Sequence, residues 1–498
     1  MSTETATRPE RSGLDSFFKI SERGSTVARE VRGGFVTFFT MVYIVVLNPI
    51  ILSGIQDGSG NFIGGTSDLN ESKLLVAVGT ALVAGIMSIL MGLVANFPIA
   101  LAAGLGINGL IASMVVAHAA SEKITFADLM GLVLIEGLII LVLVLTGFRT
   151  AVFRAIPKPL KVSISVGIGL FIAYIGIIDA GFARPAMNGS VPSELGIGGS
   201  LDGWPTVVFV VGLLLMAVLV IRKVRGGILI GIVAGTVLAM LLEAIFKIGP
   251  RVYQDGKLTN PEAWALSVPH WPSSPTNTPD FGILGQFSLL GSFEKLGIVT
   301  AGMFVFTLLL ADFFDTMGTI VAIGAEAGLL DEEGNPPKTQ QILVVDSIAA
   351  AAGGAAGVSS NTSYVESASG VGEGARTGLA SIVTGVLFLL ATFLAPVFAI
   401  VPSEAAAPAL VIVGFLMMQQ VTGIDWRDME IAIPAFLTIM LMPFTYNITV
   451  GMGAGFVAWV VIKVAKGHAR AIHPLLWVIA AAFVIFFAKA PIESLLLR

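Results

Sequence analysis

Cysteine is absent from this chain of 498 residues, and charged residues are scarce, at 12%. The first absence excludes disulfides, thiolate metal sites and a cysteine nucleophile. The second separates the chain from soluble domains, in which roughly 25% of residues are charged. The four histidines are scattered, so we expect neither a metal site nor a cofactor. A formal net charge of −5 offers no basic surface, and nucleic acid is not an expected partner.

Long apolar runs take the place of the missing charge. Hydrophobic residues make up 55% of the chain, in runs of about 20 residues that match the thickness of a lipid bilayer. The sequence therefore predicts an all-α polytopic membrane protein. Fourteen spans are predicted, at 33–53, 73–96, 98–117, 124–147, 160–180, 205–221, 226–247, 296–321, 341–358, 361–373, 376–400, 404–423, 428–445 and 447–466. The apolar stretch 473–488 is predicted either as a further span or as an interfacial helix.

Basic residues predict the orientation of these spans. They cluster in short loops after even-numbered spans, for example at Lys158, Arg222, Arg376 and Lys463. By the positive-inside rule those loops and the N-terminal segment 1–32 face the cytoplasm. No secretory signal is visible in that segment. We expect a multi-pass protein of the cell (plasma or inner) membrane.

The order of spans is seven, a polar gap and seven, and the two halves align weakly. Three pairs match at nearly constant offsets: Gly137 with Gly385, Pro157 with Pro402, and Asp179 with Asp425. A duplicated unit with an odd number of spans enters the membrane inverted in its second copy. Inverted repeats are typical of secondary transporters, whose site lies at the midplane between the copies. A chance match of apolar sequences is the alternative.

Two corresponding segments are predicted to be discontinuous. The third span, PIALAAGLGINGLIASMVVAH, crowds Pro98, Gly104, Gly106, Asn108 and Gly109 into its first half. The tenth, GVSSNTSYVESASGVGEGARTG, is rich in Ser and Gly. Broken backbone at membrane depth requires a protein or water-filled environment, and such paired segments indicate a binding site. Close helix packing for the third span and a re-entrant loop for the tenth remain alternatives.

Acidic residues inside apolar segments are the clearest functional signal. Asp312 and Asp315 lie three residues apart in LLLADFFDTMGTIVAIGAEAG and share a helical face. A charge at the centre of a span costs on the order of 2.5–3.5 kcal/mol, so such acids default to a functional interpretation. Glu366 is a similar group on the tenth segment. The three predict a proton relay beside a polar pocket, while a packing role for Asp312 stays open.

Five stretches carry a resemblance to a known family. They are GGFVTFFTMVYIVVLNPIIL, ALAAGLGINGL, ADFFDTMGTIVAIGAEAGLLDEEGNPP, TSYVESASGVGEGARTGL and PALVIVGFLMM, between about residues 20 and 470. On these stretches the sequence resembles the AzgA-like adenine, guanine and hypoxanthine permeases, a branch of the nucleobase and ascorbate transporter superfamily. DFFDTMGT and YVESASGV are specific to that branch.

The resemblance implies a 7+7 inverted repeat in which a core domain moves against a gate domain. The core comprises spans 1 to 4 and 8 to 11, and the gate comprises spans 5 to 7 and 12 to 14. The predicted boundaries are 1–32 (cytoplasmic segment), 33–147 and 296–400 (core halves), 148–247 and 401–466 (gate halves), 248–295 (polar extracellular loop and linker) and 467–498 (C-terminal apolar segment).

The resemblance also implies site residues. Asp315 and Glu366 match acids that contact ring N–H groups of the base, and Asp312 matches a second important acid. The further matches are Asn108, Gly104 and Gly106 in the third segment and Tyr364 in the tenth. Uracil-type relatives carry a histidine four residues after the eighth-span acid, where this sequence has Thr319, so their proton coupling does not carry over directly.

The sequence thus predicts a secondary active transporter, not an enzyme, that imports purine bases by proton symport through alternating access. Alternatives are a uracil, xanthine or anion carrier on the same fold, a channel, or an intramembrane aspartyl protease. The protease normally needs its acids on two helices, whereas Asp312 and Asp315 share one. The preferred purine, H⁺ versus Na⁺ coupling and the oligomeric state stay open, with a homodimer as one expectation.

Overall fold

The computed structural model describes residues 13–146, 156–184, 193–197, 199–224, 226–251, 253–254, 257–258, 260–265, 268–271, 274–331 and 335–488. Its α-helices are α1 (Gly13–Phe18), α2 (Val27–Met41), α3 (Ile44–Ser53), α4 (Leu69–Val94), α5 (Leu105–His118), α6 (Phe126–Leu145), α7 (Lys158–Asp179), α8 (Trp204–Ile221), α9 (Gly227–Phe246), α10 (Gly291–Glu326), α11 (Thr339–Ala355), α12 (Ser367–Gly372), α13 (Gly378–Ala391), α14 (Ala395–Ala399), α15 (Ser403–Met418), α16 (Met429–Phe444), α17 (Ile448–Ala465) and α18 (Pro474–Phe487). Short 3₁₀ turns lie at Thr392–Leu394, Gln419–Gly423 and Ala469–Ala471.

Strands are few and short. They are β1 (Leu101–Ala103), β2 (Ala183–Arg184), β3 (Glu194–Leu195), β4 (Tyr253–Gln254), β5 (Lys257–Leu258) and β6 (Asn361–Ser363). β2–β3 and β4–β5 are antiparallel pairs of two-residue strands outside the predicted spans. The remaining pair, β1 with β6, joins the third and tenth predicted segments. A mostly helical architecture is therefore confirmed.

Ten helical stretches of the described residues are long and apolar enough to cross a membrane, and three shorter apolar helices accompany them. The predicted count of fourteen is larger by four because it includes the two segments interrupted by β1 and β6, the 17-residue α11 and the 16-residue α16. The C-terminal stretch forms α18, with 14 residues. The count of fourteen and the inverted repeat stay predictions at this point.

Two helices begin several residues before the spans that the sequence predicts for them. α2, the helix of the first predicted span, begins at Val27 and not at residue 33, because the Thr26 side chain caps it by accepting the Arg29 N–H. Its polar first turns are accommodated because the buried Glu30 carboxylate accepts the backbone N–H of Arg376, at 2.8 Å. α10 begins at Gly291 and is kinked at Gly297, where φ is 77°, so the helical stretch after the kink begins close to residue 296, the predicted start of the eighth span.

The first span has an irregular turn at residues 42–43, between α2 and α3, although Val42 and Tyr43 keep helical dihedral angles. Next to this turn, the Thr40 hydroxyl donates to the carbonyl oxygens of Val36 (3.0 Å) and Thr37 (2.9 Å). Such back-bonding by threonine competes with the helix and bends it. Tyr43 is one of these two turn residues. It lies in the middle of the span and is fully buried.

Close helix crossings depend on glycine. Where α4 crosses α13, a Cβ atom on Gly92 would lie 2.3 Å from the carbonyl oxygen of Gly378, and one on Gly385 would lie 2.5 Å from that of Gly85. Where α7 crosses α15, a Cβ atom on Gly414 would lie 2.3 Å from the carbonyl oxygen of Gly169. Small residues let membrane helices approach backbone to backbone and pack by dispersion.

We expect Gly385→Ala to destabilise the protein by about 1–3 kcal/mol, because the new methyl group overpacks the α4–α13 crossing. The matched control is Gly302→Ala in α10, where a Cβ atom meets nothing within 4 Å. There alanine should be neutral or stabilising by up to about 1 kcal/mol. Thermal unfolding of the two detergent-solubilised variants measures the difference. Equal melting temperatures would contradict the proposed role of this crossing.

Candidate functional site

The third and tenth segments meet at the strand pair β1–β6. The antiparallel register pairs Leu101 with Ser363 and Ala103 with Asn361. The ladder continues at both ends, through the Gly104 N–H to the Ser360 carbonyl at 2.9 Å and the Tyr364 N–H to the Ala100 carbonyl at 3.0 Å. All six strand residues are buried. Because α5 follows β1 and α12 follows β6, both helices begin beside this strand pair, as the glycine pattern predicts.

Glu366 lies at the N-cap of α12, immediately after the strand pair. Its Oε1 atom accepts a short hydrogen bond from the Tyr43 hydroxyl, and its carbonyl oxygen lies 3.4 Å from the Thr40 hydroxyl oxygen. α12 packs closely on α2, since a Cβ atom on Gly370 would lie 2.5 Å from the Gly33 carbonyl oxygen. The first span therefore holds the Glu366 side chain.

Asp312 and Asp315 differ sharply in their surroundings. Asp312 is fully buried, whereas Asp315 is exposed, although it lies in the second half of the long helix α10. Asp315 interacts electrostatically with Glu366 and with Asp346. Asp315 is thus an exposed carboxylate within the helical fold that interacts with two other carboxylates.

Asp346, which the sequence interpretation missed, is the third acid of this group. It is fully buried on α11. Its Oδ2 accepts from the Thr316 hydroxyl at 2.8 Å and its Oδ1 from the Ser363 hydroxyl at 2.9 Å, and Thr316 also contacts the Thr362 hydroxyl at 2.8 Å. Asp346 thus ties α10 and α11 to β6. The signal was available, because Asp346 is an acid inside the apolar segment 341–358.

The predicted residues of the third and tenth segments have distinct positions. Gly104 is the N-cap of α5, and a Cβ atom there would lie 3.0 Å from the Thr362 side chain. Asn108 is fully buried in the first turns of α5, and its amide group has no hydrogen-bond partner among the described residues. The Tyr364 hydroxyl donates to the Ala103 carbonyl at 2.6 Å.

Gly106 differs from the other predicted residues because it faces α7. A Cβ atom on Gly106 would lie 2.5 Å from the Ile168 side chain, and one on Gly109 would lie 2.9 Å from Ile175 and 3.0 Å from Phe171. The structure therefore brings Asp315, Glu366 and Tyr364 together, whereas Gly106 serves close packing between α5 and α7.

The chemistry of this site is that of an acceptor-rich polar pocket. Carboxylates accept hydrogen bonds from N–H and O–H groups, and the Tyr43 hydroxyl is already committed to Glu366. The first-turn N–H groups of α5 receive no side-chain cap, which leaves donors for an acceptor atom of a ligand. Among the described residues no group of three or more His, Cys, Asp and Glu is arranged to hold a metal ion.

Comparison with known proteins identifies the group to which this site belongs. The profile of the permease family matches residues 28–454, most of the chain. The chain belongs to the permease family. It is therefore an integral, multi-pass membrane transporter and not an enzyme, which confirms the prediction for both class and family.

Two relatives of this permease match along almost its whole length. The guanine/hypoxanthine permease PbuG of Bacillus subtilis is 35% identical over 95% of this chain and 99% of its own. The adenine permease AdeP of Escherichia coli is 36% identical over 95% of each chain. The resemblance that the sequence motifs carry is confirmed at the level of the family.

Solved structures show the fold of the permease. The transmembrane domain of the cyanobacterial bicarbonate transporter BicA superposes with a TM-score of 0.57, at 14% identity, over 86% of this chain and 96% of its own. Murine Slc26a9, an anion transporter in the inward-facing state, superposes with a TM-score of 0.59, at 10% identity, over 93% of this chain and 74% of its own. The permease therefore has the same transporter fold as these two proteins.

Proposed function

We propose that this permease imports purine nucleobases (adenine, guanine or hypoxanthine) together with a proton, by alternating access. The full-length relatives named as guanine/hypoxanthine and adenine permeases support the substrate class. The observation that carries the proposal is the pairing of Glu366, held by the Tyr43 hydroxyl, with the accessible Asp315 carboxylate. We place the site in the core domain. The protein lies in the cell membrane, with its N-terminus in the cytoplasm.

Purine recognition follows from the hydrogen-bonding inventory of the site. A purine presents ring N–H donors and ring nitrogen acceptors on one planar edge. The carboxylates of Asp315 and Glu366 accept ring N–H groups, and a protonated carboxyl group donates to a ring nitrogen. Tyr364, Asn108 and the uncapped start of α5 at Gly104 complete the polar lining. Gly106 contributes by letting α5 approach α7.

The same carboxylates explain why a proton would accompany the base. Glu366, Asp315 and the nearby Asp346 concentrate negative charge at membrane depth, where uncompensated charge is costly. A proton bound with the neutral purine reduces that charge before the site moves across the membrane. We assign proton coupling to Asp315 and Glu366, and to the buried Asp312, which lies about one helical turn before Asp315 on α10.

Helix packing supports a core of residues 33–147 with 296–400 and a gate of 148–247 with 401–466. In the first group α4 packs on α13 and α6 on α11; in the second α7 packs on α15 and α8 on α9. In a 7+7 repeat each span corresponds to the span seven positions away. The contact of spans 2 and 11 (α4 and α13) then corresponds to that of spans 9 and 4 (α11 and α6), and the contact of spans 6 and 7 (α8 and α9) to that of spans 13 and 14 (α16 and α17). Both corresponding contacts are observed, as a 7+7 inverted repeat requires.

An anion carrier is the rival on this fold, because BicA is a bicarbonate transporter and Slc26a9 is an anion transporter. The site disfavours it. The electrostatic neighbours of Asp315 are the carboxylates of Glu366 and Asp346, which repel an anion. Uracil and xanthine present ring N–H groups as well, so these bases are tested as competitors of uptake.

Uptake of radiolabelled hypoxanthine into cells that lack their own nucleobase permeases tests the proposal. We expect uptake to rise as the external pH falls, to be independent of sodium, and to be inhibited by unlabelled adenine or guanine more than by uracil, xanthine or sulfate. Inhibition by sulfate alone would indicate the anion carrier. Sodium-dependent uptake that ignores pH would overturn the proton assignment while leaving the purine assignment intact.

A further inference from the structure

A cleft that contains none of the proposed substrate-site residues opens where α17 turns back into α18. It has a volume of about 620 Å³, and its wall includes Trp459 and Lys463 from α17, Arg470 from the connecting 3₁₀ turn, and His473 at the N-cap of α18. Lys463 lies in the last turn of a helix that is long and apolar enough to span the membrane. The cleft is therefore at the boundary between lipid and water.

The connecting segment is strongly basic. Residues 463–473, KVAKGHARAIH, contain two lysines, one arginine and two histidines, and no acid. One facing acid, Glu430 at the start of α16, lies 2.6 Å from the Lys463 ammonium, 3.4 Å from the His468 ring and 3.8 Å from the Lys466 ammonium. Glu430 balances one positive charge, so a net positive charge remains at the cleft.

Arg470 and His473 have donors directed to no other described group. Arg470 is exposed, and within the described part of the chain its guanidinium makes neither a hydrogen bond nor an ion pair. The Nδ1 atom of His473 accepts the Leu475 N–H at 3.2 Å, which assigns the proton of the neutral ring to Nε2. The Lys463 ammonium lies 5.3 Å from the Trp459 ring, an orientation that holds it at the cleft wall.

The helices beside the cleft expose large apolar side chains. Val461 and Val464 on α17 are 58% and 43% exposed, and Trp477 and Val478 on α18 are 41% and 65% exposed. These residues lie within two helical turns of the basic side chains. A basic cleft bordered by apolar helix faces complements a molecule that joins an anionic group to acyl chains.

We propose that this cleft binds the phosphodiester headgroup of an anionic phospholipid of the surrounding bilayer. Arg470 and Lys463 contact the phosphate, the Nε2–H of His473 donates to it, and the acyl chains follow the exposed faces of α17 and α18. The inference rests on the membrane location of the permease and is independent of its substrate.

The test compares lipids and two matched charge removals in the purified, full-length protein. Dioleoylphosphatidylglycerol is added to detergent-solubilised protein, and the bound lipid fraction is measured by native mass spectrometry. The variants are Arg470→Gln, inside the cleft, and Lys466→Gln, which removes one charge from the same segment outside the cleft wall. Both side chains are exposed, so both variants should fold.

We expect the wild type and Lys466→Gln to bind phosphatidylglycerol equally, and Arg470→Gln to bind it about fivefold more weakly. Dioleoylphosphatidylcholine should bind more weakly than phosphatidylglycerol in all three proteins. Equal losses in both variants would show a general charge effect and overturn the proposal. Displacement of the lipid by millimolar inorganic phosphate would also overturn it, because the cleft would then recognise a soluble anion.

Discussion

Replacement of Glu366 by alanine is expected to abolish purine uptake, with a loss of at least about 100-fold. The substitution removes the acceptor for the ring N–H and the partner of the Tyr43 hydroxyl, which then lies buried without that bond. Hydrogen bonds to charged groups contribute about 1.5–3 kcal/mol each, and roughly 1.4 kcal/mol corresponds to a factor of ten. Radiolabelled hypoxanthine uptake, normalised to protein in the membrane, measures the loss.

Two further variants separate binding from folding. Glu366→Gln keeps a carbonyl oxygen that accepts from Tyr43 or from the base, so we expect it to retain weak binding. Tyr43→Phe leaves the carboxylate but frees its orientation, and uptake should fall about tenfold. Glu326→Ala at the exposed end of α10 is the control for the same loss of a carboxylate. Unchanged uptake in Glu366→Ala would refute the site assignment.

Asp315→Asn is expected to abolish both purine binding and uptake, whereas Asp312→Asn should spare binding. The reason is geometric, because Asp315 is accessible and interacts with Glu366 while Asp312 is fully enclosed. If Asp312 serves proton coupling, its variant should still exchange internal for external labelled purine. It should lose accumulation driven by an inward pH gradient.

Purine exchange and pH-driven accumulation in proteoliposomes distinguish these roles. The two variants are matched, since they make the same chemical change on the same helix, three residues apart. We expect Asp315→Asn to fail both assays and Asp312→Asn to fail only accumulation. The reverse pattern would transfer the substrate contact to Asp312. Loss of expression in Asp312→Asn alone would instead favour the packing role that the sequence leaves open for this buried acid.

Most of the helical architecture could be predicted from hydropathy, because a segment that crosses a bilayer must be apolar along its whole length. The discontinuities were predictable as well, since Gly104, Gly106 and the serines around Glu366 cannot sustain lipid-facing helices. The start of α2 could not be predicted from the sequence. Arg29 and Glu30 in its first turn are typical of a segment outside the membrane. Only the structure shows that the Glu30 carboxylate accepts the Arg376 N–H.

Contacts between residues of distant segments could not be predicted from the sequence either. Asp346 carries the same intramembrane signal as Asp312, yet only the fold shows that Thr316 and Ser363 bond to it next to Asp315. Gly106 carries the same motif signal as Gly104, but it contacts Ile168 on α7. A sequence motif identifies residue types, whereas the helix face and its neighbour decide which residue meets the ligand.

The amino-acid sequence by itself determined the membrane class, the family, the broken third and tenth segments and the acids Asp312, Asp315 and Glu366, because each is a local property of composition and spacing. Only the tertiary structure decided which acid is accessible, that Tyr43 holds Glu366, and that basic residues at the end of α17 form a cleft. These features depend on side chains brought together from segments up to several hundred residues apart, and packing alone sets which of their faces meet.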